Sequence, residues 1–338
     1  MLLSVIAVAI LFAFINGFHD GGNVFATAVS SRSVHPAAAL ILCTLVEFGF
    51  PLIGGTAVAS TIGKGILSEA TLAAADTEIS LLVIMCALLG AMLWNLITWK
   101  LGLPSSSSHA LIGGLIGAGV VSFGFFSVEW EILFKKIILV LVATPFIGFA
   151  AGFLIQKLLM LLFRRLNKSA NRIIKRSHYL SMTLMACAHS SADSQKTMGV
   201  ITLVLLFSGK ITSFEVPFWV EIASSAALAL GLFFCGWRII LTVGGGIFKL
   251  QPLHSLTAQI SAAAVVYGAT MLGGAVSTSQ VVSSTIMGVG SANNFRMVKW
   301  NSAKSIALSW LLTIPAAFAV SAALFLIALP VIKLCGIF

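Results

Sequence analysis

Long apolar stretches separated by short polar interruptions run through the whole chain. The ranges 80–99 and 217–243 reach or exceed the roughly 20 apolar residues that cross the hydrocarbon of a bilayer. Because backbone groups in lipid must be satisfied within one segment, this pattern predicts membrane helices. We expect an all-α polytopic membrane protein with about 10–12 membrane segments. The predicted segments are 1–16, 20–34 (broken), 36–59, 80–100, 104–121 (re-entrant), 134–162, 179–208 (broken), 217–243, 255–274, 275–290 (re-entrant) and 304–335.

The two halves of the chain carry the same landmarks in the same order. The pairs are Asp20 and Asp193, Ser106 and Ser277, Trp130 and Trp300, and Pro145 and Pro315. Their separations run only from 170 to 173 residues, so we interpret the chain as two homologous repeats. The first transmembrane repeat is predicted over 1–156 and the second over 178–338, with a basic loop over 157–177 between them.

Each repeat contains one short apolar piece interrupted by serine- and glycine-rich sequence, 104–121 in the first and 275–290 in the second. Interrupted segments at matching positions of two repeats indicate the midplane site of a transporter. Non-helical backbone at that depth is tolerated only where protein or a water-filled cavity surrounds it. Whether the repeats are inverted or parallel depends on the number of spans, which the hydropathy pattern leaves open.

The composition is that of a membrane protein, and the basic residues are concentrated in one predicted loop. Hydrophobic residues make up 59% of the chain and charged residues only 9%, whereas a soluble chain averages about 25% charged residues. Much of the formal charge of +10 lies in the predicted loop, which has no acidic residue. We interpret this loop as cytoplasmic and as facing anionic lipid headgroups, not nucleic acid. Its basic residues are Lys157, Arg164, Arg165, Lys168, Arg172, Lys175 and Arg176.

Asp20 and Asp193 are the strongest candidates for chemistry. A carboxylate at bilayer depth costs at least about 2.5–3.5 kcal/mol, even on the lenient insertion scale. Two of them at equivalent repeat positions are hard to explain as structural residues. A carboxylate placed there can bind a coupling cation or take up a proton.

Hydroxyl clusters follow each aspartate at the interrupted segments. They comprise Ser105 to Ser108 in the first repeat and Ser277, Thr278 and Ser279 in the second. Small hydroxylated residues also help membrane helices to pack. Serines 106 to 108 could instead cap the half-helix that follows. The free N–H groups and partial positive charge of such an N-terminus make a ready anion site, and two of them would suit a tetrahedral oxyanion.

Amides, histidines and one lysine lie beside the same motifs. Asn23 and Gln195 are within one turn of the aspartates and can donate and accept hydrogen bonds. The histidines could relay protons or hydrogen-bond a neighbouring helix, and His19 beside Asp20 favours relay. The three histidines are His19, His109 and His189. Lys196 could attract an anion, pair with Asp193, or extend to a membrane interface.

Two other function classes use the same residue types. An intramembrane Ser/His/Asp hydrolase would need one nucleophile, but the polar features come in two sets and no G-x-S-x-G elbow surrounds a serine. An ion channel could also use rings of hydroxyls and carboxylates. Uphill, ion-coupled flux would distinguish a carrier from a channel.

The motifs resemble those of the inorganic phosphate transporter family. That family's signature occurs once per half as a G-x-N/H-D-x-x-N type motif followed by P-x-S-T/S-T/S-H. Here the first half has "NGFHDGGN" and "LPSSSSHALIGGLIGAG", and the second has "AHSSADSQKTMG" and "AVSTSQVVSSTIMGVGS". The resemblance covers essentially the whole chain. It implies an inverted-repeat helical fold, commonly dimeric, that carries phosphate in symport with H⁺ or Na⁺.

Three positions depart from the family pattern. His19 stands where many members have Asn, Ala192 replaces the usual Asn before the second aspartate, and Gln280 replaces His. A lost amide beside Asp193 could weaken a sodium site or alter the anion preference. Carried over by position, the family's substrate and ion residues fall on Asp20, Asn23, Ser106, Ser107, Ser108, Asp193, Gln195, Ser277, Thr278 and Ser279.

We therefore expect a secondary active transporter of the bacterial cytoplasmic membrane that works by alternating access. It would import an oxyanion, phosphate in preference to sulfate, with H⁺ preferred over Na⁺ as the coupling ion. His19, Asp20 and Asp193 would hold or relay this ion, and Na⁺ at the two aspartates is the alternative. A sulfate permease of the same family is the second hypothesis for function. We expect a homodimer and no cofactor.

Overall fold

The computed structural model describes residues 1–163, 170–235 and 237–334, and every regular element named in these ranges is helical. Residues 164–169 of the predicted basic loop lie outside the described residues. The helices of the first half are α1 Leu2–Asp20, α2 Gly22–Ser30, α3 Pro36–Gly49, α4 Ala57–Gly65, α5 Glu69–Ala74, α6 Thr77–Leu101, α7 Ser107–Phe123, α8 Trp130–Ile132 and α9 Leu139–Leu162. Those of the second half are α10 Ala170–Phe207, α11 Phe218–Phe233, α12 Trp237–Leu241, α13 Pro252–Met271, α14 Thr278–Asn294 and α15 Trp300–Leu334.

Short segments of other helix types complete these elements. The 3₁₀ segments are Phe50–Leu52, Phe125–Ser127 and Phe295–Met297, and the π segments are Leu133–Ile138 and Thr242–Gly246.

Four helical stretches in the described part of the chain are long and apolar enough to cross a membrane: Leu2–Ser30, Thr77–Leu101, Trp130–Leu162 and Trp300–Leu334. The helices Pro36–Leu52 and Ala57–Gly65 make a fifth if this pair, bent by 73°, forms one span. The shorter apolar helices are Ser107–Phe123 and Phe218–Phe233. The all-α prediction is confirmed.

The predicted segments differ from the structure at several places. The predicted segment 36–59 is divided into Pro36–Leu52 and Ala57–Gly65, bent by 73°, and 217–243 is divided into α11 and α12. The predicted segment 1–16 and the predicted broken segment 20–34 form one stretch, Leu2–Ser30, in which only a turn at Gly21 interrupts the helix. The predicted break within 179–208 is wrong, because α10 runs unbroken and its polar side chains have partners on other helices. Within the predicted loop 157–177, α9 continues to Leu162 and α10 already begins at Ala170.

The two interrupted segments are helical hairpins. Helix α6 ends at Gly102, whose φ of +69° is favoured by the absence of a side chain, and α13 is followed by Gly273 with φ +71°. A few non-helical residues then lead back into the half-helices α7 and α14, which pack against α6 and α13 respectively. Both half-helices are buried along most of their length, so they lie inside the protein.

Each half-helix is held by the long helix of the other half. Helix α7 packs against α15, and α14 packs against α9. Glycine allows the close approach: a Cβ atom added at Gly113 would press on the backbone of Ile314, and one added at Gly288 on that of Phe149. This exchange positions the N-termini of α7 and α14 in the centre of the molecule.

Local structure is repeated between the halves beyond these hairpins. The indole N–H of Trp130 donates to Phe125 O at 2.8 Å, and that of Trp300 donates to Phe295 O at 2.9 Å. Each tryptophan also stacks on the phenylalanine of its own pair, with ring centroids 4.5 and 4.4 Å apart. The matched landmarks of the sequence are thus matched in conformation.

Candidate functional site

The N-termini of α7 and α14 meet in the buried centre of the protein. Ser108 Oγ donates to Val276 O at 2.8 Å, and Ser279 Oγ donates to Ser105 O at 2.5 Å. Ser108 and Ser279 are 171 residues apart, as are Ser105 and Val276. The two hydrogen bonds therefore join the same pair of equivalent positions, with the donor in the first half in one bond and in the second half in the other. A contact in which i meets j and j meets i is the mark of a local two-fold arrangement.

The next residues of the two half-helices lie on the same local axis. The amide of Gln280 and Nδ1 of His109, also 171 residues apart, are within 3.3 Å of each other. The replacement of a histidine by Gln280 therefore gives His109 a partner on the opposite half-helix. Of the two roles expected for His109, proton relay and contact with a neighbouring helix, the structure shows the contact.

Capping differs between the two half-helices. Ser106 Oγ accepts from the backbone N–H of His109 at 3.1 Å, which confirms the predicted cap at α7. Ser277 occupies the equivalent position before α14, but its side chain makes no capping bond and lies 3.2 Å from Ser279 Oγ. The predicted hydroxyls are therefore brought together, with unequal roles.

The first aspartate lies in a largely uncharged group that we name the Asp20 side: His19, Asp20, Asn23, Thr98 and Ser105. His19 Nδ1 is 3.0 Å from Asp20 Oδ1, and the Asn23 amide donates to the same oxygen at 3.4 Å. His19 Nε2 lies 3.2 Å from Thr98 Oγ1 and 3.3 Å from Ser105 Oγ, and these hydroxyls are 2.7 Å apart. A hydrogen-bonded path thus leads from Asp20 to the start of the α7 hairpin.

The second aspartate lies in a charged group that we name the Asp193 side: Glu47, His189, Asp193, Lys196 and Thr278. Lys196 Nζ is 2.8 Å from Asp193 Oδ1, and Thr278 Oγ1 donates to that oxygen at 3.4 Å. His189 lies between two carboxylates, with Nδ1 2.5 Å from Glu47 Oε1 and Nε2 3.2 Å from Asp193 Oδ2. Every side chain of this group is buried.

Lys196 joins the Asp193 side to the N-terminus of α7. Its ammonium donates to Ser107 Oγ at 3.0 Å as well as pairing with Asp193. Only 1% of the lysine is exposed, so the alternative in which it extends to a membrane interface is wrong. Ser107 accepts this bond and keeps its own hydroxyl hydrogen for another acceptor.

The side chain of Gln195 contacts the backbone of another helix. Its Oε1 accepts from the backbone N–H groups of Val58 at 2.8 Å and Ala59 at 3.3 Å, at the first turn of α4. The side chain therefore supplies partners to helix N–H groups that would otherwise be unpaired. Its role in substrate binding stays a prediction.

Three buried residues beside the site are absent from the sequence-based candidates. Glu47 pairs with His189, and its signal in the sequence is a lone carboxylate within the apolar run "LILCTLVEFGF". Asn16 and Asn95 are buried, and among the described residues neither side-chain amide atom of either has a hydrogen-bond partner. They precede His19 and Thr98 by about one helical turn, on the packed helices α1 and α6. Unpaired buried amides of this kind need an explanation.

The combined arrangement is suited to an anion and a cation held close together. Two half-helix N-termini contribute partial positive charge and N–H donors. Serine and threonine hydroxyls add further donors. The carboxylate of Asp193 contacts Thr278, and that of Asp20 is linked to Ser105 through His19. Every candidate site residue is at least 92% buried, so the described part of the chain encloses the site.

Comparisons with known proteins agree on one family. The model of the phosphate transporter family matches residues 16–321. A protein of Rhizobium meliloti (strain 1021) named probable low-affinity inorganic phosphate transporter is 40% identical over 95% of both chains. A protein of Bacillus subtilis (strain 168) with the same name is 39% identical over 92% of both chains.

A solved structure shares the whole fold. It is described as the sodium-dependent phosphate transporter, and it superimposes with a TM-score of 0.85 at 25% identity. The alignment covers 97% of this chain and 98% of that one. The chain therefore belongs to the phosphate transporter family: it is an integral membrane transporter and not an enzyme.

Proposed function

We propose that this protein imports inorganic phosphate across the membrane in symport with a cation, and that the cation is H⁺ in preference to Na⁺. The observation that carries the proposal is that two half-helix N-termini meet and each is linked to a buried carboxylate. Thr278 at the start of α14 contacts Asp193, and Ser105 before α7 is linked to Asp20 through His19. The half-helices supply an oxyanion cradle, and the carboxylates supply charge for a cation. The relatives named as phosphate transporters support the same substrate class.

Phosphate is favoured over sulfate by the presence of acceptors. At neutral pH phosphate keeps at least one proton and can donate a hydrogen bond, whereas sulfate can only accept. Asp20 and Asp193 offer carboxylate oxygens beside the half-helix termini. A site built only from hydroxyl and N–H donors would suit both anions equally.

Alternating access is supported by the burial of the site. The termini of α7 and α14 are hydrogen-bonded to each other, and the residues around them are buried. An anion reaches such a centre only if one half moves relative to the other. The reciprocal contact between equivalent residues supports halves related by a two-fold axis, and an inverted pair would then expose the site to each face in turn.

Proton coupling is supported by the Asp20 side. His19 lies directly against Asp20 and is linked through Thr98 and Ser105 to the α7 hairpin. A histidine can gain and lose a proton near neutral pH, so this path can load and release H⁺ with the anion. In this mechanism Asp20 holds the positive charge while the hydroxyls and helix termini hold phosphate.

Counterflow in proteoliposomes tests the substrate. Vesicles preloaded with unlabelled phosphate, sulfate or arsenate are diluted into labelled phosphate, and transient accumulation of the label is measured. We expect accumulation from phosphate-loaded and arsenate-loaded vesicles, since both anions carry a proton at neutral pH, and little from sulfate-loaded ones. Equal counterflow from sulfate would indicate a general oxyanion carrier. No counterflow with phosphate would refute the proposed function.

A further inference from the structure

The residue three positions after each aspartate differs in charge between the two halves. Asn23 follows Asp20 by three residues, and Lys196 follows Asp193 by three. Both side chains contact the preceding aspartate, through Nδ2 at 3.4 Å and Nζ at 2.8 Å. One half therefore places a neutral amide against its carboxylate, and the other half places a full positive charge at the same point.

The ammonium of Lys196 has the surroundings of a bound cation. Its nitrogen lies 2.8 Å from a carboxylate oxygen and 3.0 Å from the Ser107 hydroxyl, and Thr278 Oγ1 contacts the same carboxylate oxygen. Carboxylate and hydroxyl oxygens are also the ligands that hard cations select. The lysine is 1% exposed and the aspartate is fully buried, so the pair is closed off from water.

We infer that Lys196 is a tethered cation that occupies the place of one coupling ion at Asp193, so that only the Asp20 side loads an exchangeable cation. This inference rests on the proposed cation symport. Because the lysine is covalently fixed, its charge helps the site to accept an anion but never crosses the membrane. Each transport cycle therefore carries one cation fewer than a site with two exchangeable positions.

A role for Lys196 in anion binding alone fits the contacts less well. The nearest group to its nitrogen is the carboxylate of Asp193, which already balances the positive charge. Removing that ammonium would leave a buried carboxylate without its closest partner, and such a charge strongly favours uptake of another cation. An anion-binding lysine would instead change only the affinity for phosphate.

The test is the coupling ratio of Lys196→Asn, which gives the second motif the amide of the first. The reversal potential of phosphate flux in proteoliposomes reports how many cations move per phosphate. We expect the variant to move one more cation per phosphate than the wild type, with steeper dependence on external Na⁺ or H⁺. Lys210→Asn, at an exposed position after α10, is the matched control and should keep the wild-type ratio.

An unchanged ratio in an active Lys196→Asn carrier, with only a higher KM for phosphate, would overturn the inference. If that variant does not fold, Asn23→Lys tests the same idea from the other side. In Asn23→Lys the ratio of cation-driven uphill uptake to phosphate counterflow should fall, because both aspartates would then carry tethered cations. Unchanged uphill uptake relative to counterflow by Asn23→Lys would contradict the inference. Absence of phosphate flux in the wild type would instead refute the proposed function.

Discussion

The Asp20 side and the Asp193 side stand at matching positions of two similar halves, but they differ in charge. Asp20 contacts a histidine and an amide, and hydroxyls complete its group. Asp193 contacts a lysine and a histidine, and that histidine also contacts Glu47. Similar local structure in the two halves thus carries two different electrostatic environments. A lightly paired carboxylate suits an ion that must leave, whereas a heavily paired one suits a charge that stays.

The largest expected contrast is between Asp193→Asn and Asp20→Asn. Asp193→Asn leaves a buried ammonium without its partner, so we expect a loss of about 3–5 kcal/mol in the free energy of unfolding. Asp20→Asn removes charge-assisted hydrogen bonds only and should cost about 1–2 kcal/mol. Both variants should lose uphill phosphate uptake. Denaturation of the detergent-solubilised protein and uptake in proteoliposomes measure the two effects.

One result would contradict this predicted difference in stability. Equal destabilisation by both substitutions would mean that the two aspartates are paired with equal strength in the membrane protein. The double variant Asp193→Asn with Lys196→Met removes both charges of the pair and should recover part of the lost stability.

Glu47→Gln is expected to have the next largest effect on stability and uptake, and it changes only the Asp193 side. Glutamine can still accept from His189, but the bond becomes neutral and loses roughly half its strength, about 1 kcal/mol or somewhat more. We expect slower phosphate uptake with an altered pH profile, because His189 would lie between one carboxylate and one amide. Glu215→Gln, at an exposed position, is the control. A pH profile of uptake identical to that of the wild type would show that Glu47 has no role in the pH dependence of transport.

Ser108→Ala and Ser279→Ala test the local two-fold arrangement. Each removes one of the two reciprocal hydrogen bonds and leaves a buried carbonyl without that donor, so each should cost about 1 kcal/mol of stability. The two costs should be equal within the error of thermal unfolding measurements. A large difference between them would show that the half-helices are not equivalent at their contact.

The smallest effect distinguishes the two helix caps. Ser106→Ala removes the hydroxyl that accepts from His109 N, and we expect a loss of about 1 kcal/mol. Ser277→Ala removes no capping bond and should cost only a few tenths of that amount. Thermal unfolding in the same detergent measures both. Equal costs would contradict the unequal capping.

Local patterns in the sequence were sufficient for much of the fold. Hydropathy predicts the long helices, and the matched landmarks predict the paired hairpins, because glycine and serine break a helix at the same place in each half. The cap by Ser106 was also predictable, since it depends on residues three positions apart. Each of these features is determined by residues that are close together in the sequence.

Features that depend on distant partners were not predictable in this way. Helix α10 has a polar stretch that suggests a break, yet it stays helical because Glu47, Ser107 and the first turn of α4 provide partners from elsewhere in the chain. Gln195 lies near Asp193 in sequence, but its oxygen caps another helix. The position of Lys196 likewise depends on a residue far away in the sequence, because its ammonium donates to Ser107 at the start of α7.

The central claim is that phosphate moves together with a cation held at Asp20. Its most direct test is the uptake of labelled phosphate by sodium-free proteoliposomes under an inward proton gradient, with wild type and Asp20→Asn compared at equal protein density. We expect the wild type to accumulate phosphate above equilibrium until a protonophore is added, and Asp20→Asn to show no accumulation. Full accumulation by Asp20→Asn, or wild-type uptake that requires Na⁺ and ignores the proton gradient, would contradict this account.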